Sequence, residues 1–336
     1  MVGHLKRNSL FIHALTGFGY KANHLLSKTN VPQCDIERVA HMPGWEEGDW
    51  RDESLCQFKE SNLLNAMGLE FYDLSHPWGK DQPCWPYFKD VKIERLHGMS
   101  RSGVLTQEIT TVMHSGTHID APAHVVPGTP FMDEVPLPYF FGTGVVVSIP
   151  KKKWEVITAA DLEAARPTIR PGDIVVVNTG WHKYYGDNKH YYGYSPGFYK
   201  EAGEWFVERG VKMAGNDTQA LDHPLGTAIG PHGPGAPNGL QPDINEEYFR
   251  ETGRRVIEDF PEWEPCHNAL LSNGICGIEN IGGDIDKVTG KRVTFAAFPW
   301  RWKKGDGCII RLVAILDPKG TFRIETGNSD EPASGS

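Results

Sequence analysis

The chain has 336 residues, a formal net charge of −9 and a hydrophobic fraction of 39%. That length carries one large domain or two ordinary ones around a substantial apolar core. The acidic balance speaks against a nucleic-acid partner, which would need a concentrated basic surface. The apolar stretch at 10–15, broken by His13, is too short for a signal-peptide core or a membrane span.

Six cysteines (Cys34, Cys56, Cys84, Cys266, Cys276 and Cys308) are scattered without a C-x-x-C pair. Neither a disulfide framework nor a zinc ribbon is expected, and a reducing, cytoplasmic setting is the default. Asn216-Asp217-Thr218 matches a glycosylation sequon that only a secreted protein would use.

In chain order, residues 1–68 carry no clear chemistry. HMPGWEEGDW (41–50) reads as an extension that packs on a surface or on another subunit, and 61–67 as one short helix. From Leu69 the pattern changes. LEFYDLSHPW (69–78), VKIERLHGM (91–99) and VLTQEITTVMH (104–114) read as strands, the last enriched in β-branched residues. GTGVVVSIP (142–150) is an apolar run of buried-strand type. Lys151, Lys152 and Lys153 mark a solvated turn. ITAADLEAARP (157–167) reads as a short helix capped by Thr158 and closed before Pro167.

PGDIVVVNTGW (171–181) is strand-like. SPGFYKEAGEWFVERGV (195–211) has helical spacing, with Phe198, Ala202, Trp205 and Phe206 on one stripe and Gly210 as the stop. Residues 211–222 and 307–316 supply two more strands. GTAIGPHGPGAPNG (226–239) is too rich in Gly and Pro for regular structure and reads as a solvated loop or an active-site lid, which leaves His232 ambiguous. The tail 327–336 is expected to be disordered. Together these elements predict one α/β domain over 69–326.

HSGTHIDAPAH (114–124) concentrates the chemistry: His114, His118, Asp120 and His124 fall within eleven positions. In an extended chain, side chains two apart share a face. A helix would also bring His114 and His118 together, but Gly116 and Pro122 disfavour one through the whole segment. Either geometry lets two imidazoles and a carboxylate converge. Nitrogen and oxygen donors without a thiolate suit Zn²⁺ or Mn²⁺. A site with three protein ligands keeps a position open for water and lowers its pKa towards about 7, which is the physical reason to expect hydrolysis. Ser115 stands where H-E-x-x-H would place its glutamate, so the segment is not that protease motif.

The segment resembles the H-x-G-T-H-x-D-x-P-x-H signature of the bacterial kynurenine formamidase and putative cyclase family, which includes isatin hydrolases and related cyclic-amide hydrolases. YDLSHPW (72–78), PCWP (83–86), GNDTQALD (215–222) and FAAFPWRWKKGDGCIIR (295–311) agree, over roughly residues 69–318. The resemblance implies an α/β swivelling domain of β/β/α type, with a mixed sheet wrapped by helices, in a homodimer or homotetramer. It implies that His114, His118 and Asp120 bind one metal, that Asp120, His267 and Glu279 bind a second, and that Asp120 bridges. It casts His124 as the general acid/base.

The reaction expected is metal-assisted hydrolysis of a small aromatic or cyclic amide or imide, with one or two Zn or Mn ions per subunit. A lyase or cyclase acting through an enolate, and a non-catalytic metal-binding protein, are the alternatives. Trp85, Trp181 and the tyrosine-rich run 184–194 offer surface for a flat ring, with Trp85 favoured because it lies in the family-like segment. Ser75 and Ser115 read as structural hydroxyls rather than nucleophiles.

Overall fold

A computed structural model describes residues 68–233, 241–322 and 325. The N-terminal extension, the helix expected at 61–67, residues 234–239 of the Gly/Pro-rich loop and the tail at 327–336 lie outside the described residues. Among the described residues thirteen strands follow one another: β1 Glu70–Asp73, β2 Lys92–His97, β3 Thr106–Thr110, β4 His118–Asp120, β5 Phe141–Ser148, β6 Val156–Ile157, β7 Ile174–Asn178, β8 Gly197–Phe198, β9 Met213–Asn216, β10 Cys276–Glu279, β11 Lys291–Ala296, β12 Gly307–Ile309 and β13 Val313–Leu316. Nine of them form one sheet in the order β1-β13-β11-β5-β7-β9-β10-β4-β12. Its centre, β5-β7-β9-β10, is parallel and both flanks are antiparallel. This is the mixed-sheet α/β architecture expected. β2 and β3 form a separate two-stranded sheet. Residues 95–107, with the short helix Met99–Ser102, belong to a second compact unit.

The apolar runs explain the centre of the sheet. Val146, Ile174, Val176 and Met213 point into one core cluster, while Val145, Val147, Val175, Val177 and Ala214 point into another. A strand buried on both faces needs a continuous apolar run rather than an alternating one. The second cluster is covered by the helices Lys200–Arg209 and Pro265–Ser272, through Ala202, Phe206, Cys266 and Leu270.

The stretch expected as one strand at 307–316 is two strands. β12 pairs with β4, whereas β13 lies between β1 and β11. In a flat sheet those positions would be about 34 Å apart at the usual strand spacing. Residues 310–312 allow at most roughly 14 Å between the strand ends. The sheet must therefore curl. Its inner face is filled by the first cluster, which includes Ile119, Ile278, Phe295, Cys308 and Leu316.

Other expectations shift at their ends. The helix expected from 195 begins at Lys200, because Gly197 and Phe198 pair with β6 instead, and Gly210 ends it at φ 68° as foreseen. The 157–167 helix spans Ala159–Ala164. Its Thr158 cap forms a reciprocal box, with Thr158 Oγ1 accepting from Asp161 N at 3.1 Å and Thr158 N donating to Asp161 Oδ2 at 2.8 Å. The lysine run is not simply solvated: Lys151 pairs with Asp161 at 2.7 Å and Lys153 with Glu247 at 2.7 Å. Residues 226–230 are not a solvated loop either, for Ala228 and Ile229 pack in a third core cluster beside Leu225. Asn216 is wholly buried, so the sequon cannot be glycosylated in the folded chain. Cys84, Cys266, Cys276 and Cys308 are free thiols. Among the described residues no helix is long and apolar enough to cross a membrane.

Candidate metal centre

The extended reading of 114–124 holds only in the middle. Gly116 takes φ 62°, which breaks the strand before β4, and Pro122–His124 is a 3-10 turn. Three residues, His118–Asp120, are strand, and they suffice. Ile119 points into the inner core, so His118 and Asp120 point to the other face, towards the helix Pro265–Ser272. On β10, Glu279 lies opposite His118 and Gly277 opposite Asp120; on β12, Gly307 lies opposite Asp120. Residues opposite each other share a face, so register alone brings Glu279 beside His118. The first turn of the helix Pro265–Ser272 delivers His267.

The structure brings all five candidate ligands together. Ligand atoms of His114, His118 and Asp120 lie within 4.8 Å of one another, as do those of Asp120, His267 and Glu279. Asp120 is common to both groups. His118 Nε2 lies 3.3 Å from Glu279 Oε2, and His267 Nε2 lies 3.0 Å from Glu279 Oε1 and 3.5 Å from Asp120 Oδ2. Second partners aim the rings. His118 Nδ1 donates to the Gly116 carbonyl at 2.8 Å, which turns the Nε2 lone pair towards the cluster. Asp222 accepts from His267 Nδ1 at 2.6 Å, and from the backbone N–H groups of Cys266 and His267 at 2.8 Å each. Such carboxylate–imidazole pairs orient metal-ligating histidines and raise their basicity.

These residues fit a divalent cation. His118 Nε2 and Asp120 Oδ2 are buried without a hydrogen-bond partner. A Cβ on Gly307 would meet His114 Cε1 at 2.5 Å, and one on Gly277 would meet Leu221 Cδ1 at 2.3 Å and Asp120 Oδ2 at 3.4 Å. The neighbouring strands thus leave room around Asp120 that any side chain would fill. The charges agree. Burial alone would raise the Asp120 carboxyl, yet His118, His114 and His267 hold it well below the carboxylate range. Burial would lower His267, but Asp120, Asp222 and Glu279 hold it well above the ordinary value. Burial likewise opposes charge on His114, which Asp120 and Asp306 nonetheless raise to about 10. A buried group of carboxylates demands compensating positive charge, which a divalent cation held by these residues would supply in place of the imidazole protons.

The cluster opens into a cleft of about 310 Å³ lined by Trp85, Tyr87, Trp263, His124 and Glu264 along with the candidate ligands. His124 stacks on His114 with ring centroids 3.9 Å apart and lies 6.3 Å from His267. Burial brings it down to about 4, so it is neutral at physiological pH. Trp85 lines the cleft while also packing in the third core cluster. Trp181 does not line it: it is packed in that cluster with Tyr191 and Tyr192, its Nε1 donating to the Tyr191 carbonyl at 3.1 Å. His232 is structural, with Nε2 donating to the Phe260 carbonyl at 2.6 Å. Ser75 Oγ accepts from Leu312 N at 2.8 Å and Ser115 Oγ donates to the Val112 carbonyl at 3.1 Å, which are structural bonds in both cases. Sequence reasoning missed Asp222, Asp306, Glu264, Tyr87 and Trp263. Asp222 closes the segment GNDTQALD and carried the one available hint.

Residues 72–223 match the family model described as "Putative cyclase". The isatin hydrolase of Roseibium aggregatum is 26% identical over 220 residues, covering 60% of this chain and 72% of that protein. An uncharacterized protein of Haemophilus influenzae is 36% identical over 76 residues, 22% of this chain and 54% of its own. Among solved structures, an isatin hydrolase bound to the product analogue thioisatinate superposes with a TM-score of 0.58 at 21% identity, covering 75% of this chain and 94% of its own. Isatin hydrolase A from Ralstonia solanacearum gives 0.57 at 22% identity, covering 77% and 99%. Across residues 72–223, which include the HSGTHIDAPAH segment, the chain is similar to the putative cyclase family, and its mixed curled sheet is the fold of the solved isatin hydrolases.

Proposed function

We propose that the protein is a metal-dependent hydrolase of a small amide, an aromatic or cyclic amide or imide, acting on a C–N bond other than a peptide bond. The observation that carries this reading is the pair of orphaned, buried atoms His118 Nε2 and Asp120 Oδ2, set among His267 and Glu279 at the floor of an aromatic cleft. His118, Asp120, His267 and Glu279, with His114, would hold one or two ions of Zn or Mn. Two ligand groups sharing Asp120 support two. When bound, such a cation polarises a carbonyl oxygen and lowers the pKa of water.

The chain's own residues do the rest. His124, neutral and at the cleft wall, accepts the proton of the attacking water at a ring nitrogen and returns it to the departing nitrogen. Asp222 fixes the ring of His267. Trp85 and Trp263 offer flat walls for a ring and exclude water from it. The relatedness to an isatin hydrolase supports a cyclic amide. Four buried free thiols fit a reducing compartment.

The test is a variant with a paired readout. His124→Ala lowers turnover of formyl-arylamines, isatins or cyclic imides by about 10²–10⁴-fold while the bound metal, measured by elemental analysis, stays unchanged. The ring-opened product of an isatin or cyclic imide is heavier than its substrate by one water, and a formyl-arylamine gives the arylamine and formate. Products whose masses sum to the substrate without an added water would instead mark the lyase or cyclase reading, and a variant with full turnover would remove His124 from the chemistry.

A further inference from the structure

Glu264 is the cleft carboxylate that the metal chemistry leaves unused. It stands at the start of the helix that carries His267, with φ 45° and ψ 51°. That left-handed conformation is uncommon for glutamate and natural for glycine. The backbone is held there from both sides. Its N–H donates to the Gly226 carbonyl at 2.8 Å, and its carbonyl accepts from Asn268 N at 3.0 Å and Asn268 Nδ2 at 2.9 Å. A strained position maintained by its surroundings, with a charged side chain where glycine would be easier, points from structure to function.

The side chain lines the same cleft as His118, His267 and Glu279, and Trp85, Tyr87 and Trp263 share that lining. Among the described residues no lysine or arginine forms an ion pair with it. Burial pushes its carboxyl up to about 7; His267 opposes the rise, and Asp222 and Glu279 add to it. The neighbouring Trp263 is the one side-chain donor set against it, which leaves acceptor capacity on the carboxylate for a ligand N–H in the cleft.

We infer that Glu264 anchors the substrate and sets its class, accepting a hydrogen bond from the N–H beside the carbonyl that is attacked, while the ring lies against Trp85 and Trp263. This rests on the hydrolase reading above. Secondary amides and imides, which carry that N–H, are the preferred substrates. N-methyl amides of the same shape lack the donor, set a methyl group against the half-buried carboxylate and leave one of its acceptor positions unmet. A site built around such a bond rejects the analogue that cannot make it.

The experiment compares kcat/KM for an N–H cyclic imide and its N-methyl analogue in the metal-loaded full chain. The wild type prefers the N–H substrate by about 10- to 100-fold. Glu264→Gly reduces that ratio to about 1. Because glycine suits the left-handed backbone, the same variant melts about 2–4 °C higher. Glu264→Gln, which keeps an acceptor, retains part of the preference. A Glu264→Gly variant that keeps the full ratio, or that loses both substrates equally, overturns the inference while leaving the hydrolase reading standing. A metal-loaded wild type inactive on the whole panel overturns the hydrolase reading, and this inference with it.

Discussion

Asp120 organises the site more than any other residue. It sits between two glycines on the flanking strands, belongs to both candidate ligand groups and has three imidazoles about it. Next in weight comes Asp222, which reaches the cluster only through His267. Asp222→Asn keeps the shape but weakens the acceptor facing His267 Nδ1. Metal affinity is expected to fall by about 10- to 100-fold, read by titrating Zn or Mn into the metal-free protein. The rise in melting temperature on adding metal shrinks accordingly, because binding to the folded state is what raises it. An unchanged affinity would make that hydrogen bond a packing detail. The contrast between these residues shows what was legible. His114, His118, Asp120 and His124 announced themselves because they crowd one short segment. Asp222 carried only the hint of its segment GNDTQALD, while Asp306 and Glu264 stand in no such crowd of histidines and carboxylates in the sequence.

At the scale of the element, the candidate site depends on a three-residue strand. β4 has no propensity signal of its own, yet it pairs on both sides, with β10 and β12, and that pairing places His118 against Glu279. Local chemistry does decide some elements. Thr158 was readable as a cap because a side-chain oxygen at that position satisfies an N–H the helix cannot. Thr158→Ala is expected to cost about 1 kcal/mol of stability with no change in metal content, checked by urea unfolding beside a metal assay. A neutral result would mean that the packing of Leu162 holds this helix unaided. Where expectation slipped, pairing overrode the local pattern. Residues 197–198 had helical spacing but joined β6, and 307–316 read as one apolar run but split between two strands of the sheet.

The molecule as a whole carries a pH dependence to which the half-buried His76, outside the cluster, contributes. His76 stacks on Tyr185 with ring centroids 3.6 Å apart, and its buried Nε2 has no hydrogen-bond partner. Burial, with His182 adding to it, lowers His76 from 6.5 to about 4. Because the folded value lies below the unfolded one, the stability tied to keeping this ring neutral is complete above about 6.5 and is lost as pH falls towards 4. Relative to His76→Phe, the wild type should weaken by up to about 3 kcal/mol across that window, measured as the difference in unfolding free energy at several pH values. Parallel curves for the two proteins would refute it. The sequence by itself determined the crowding of nitrogen and oxygen donors at 114–124, the apolar strands of the core and the helix stops, because each is written in adjacent residues whose side-chain chemistry or backbone freedom acts locally. Only the tertiary structure decided the curl of the sheet, the register that sets Glu279 beside His118, the aim of His267 by Asp222 and the place of Glu264 in the cleft. Those depend on contacts between segments far apart in the chain, and no local pattern encodes them.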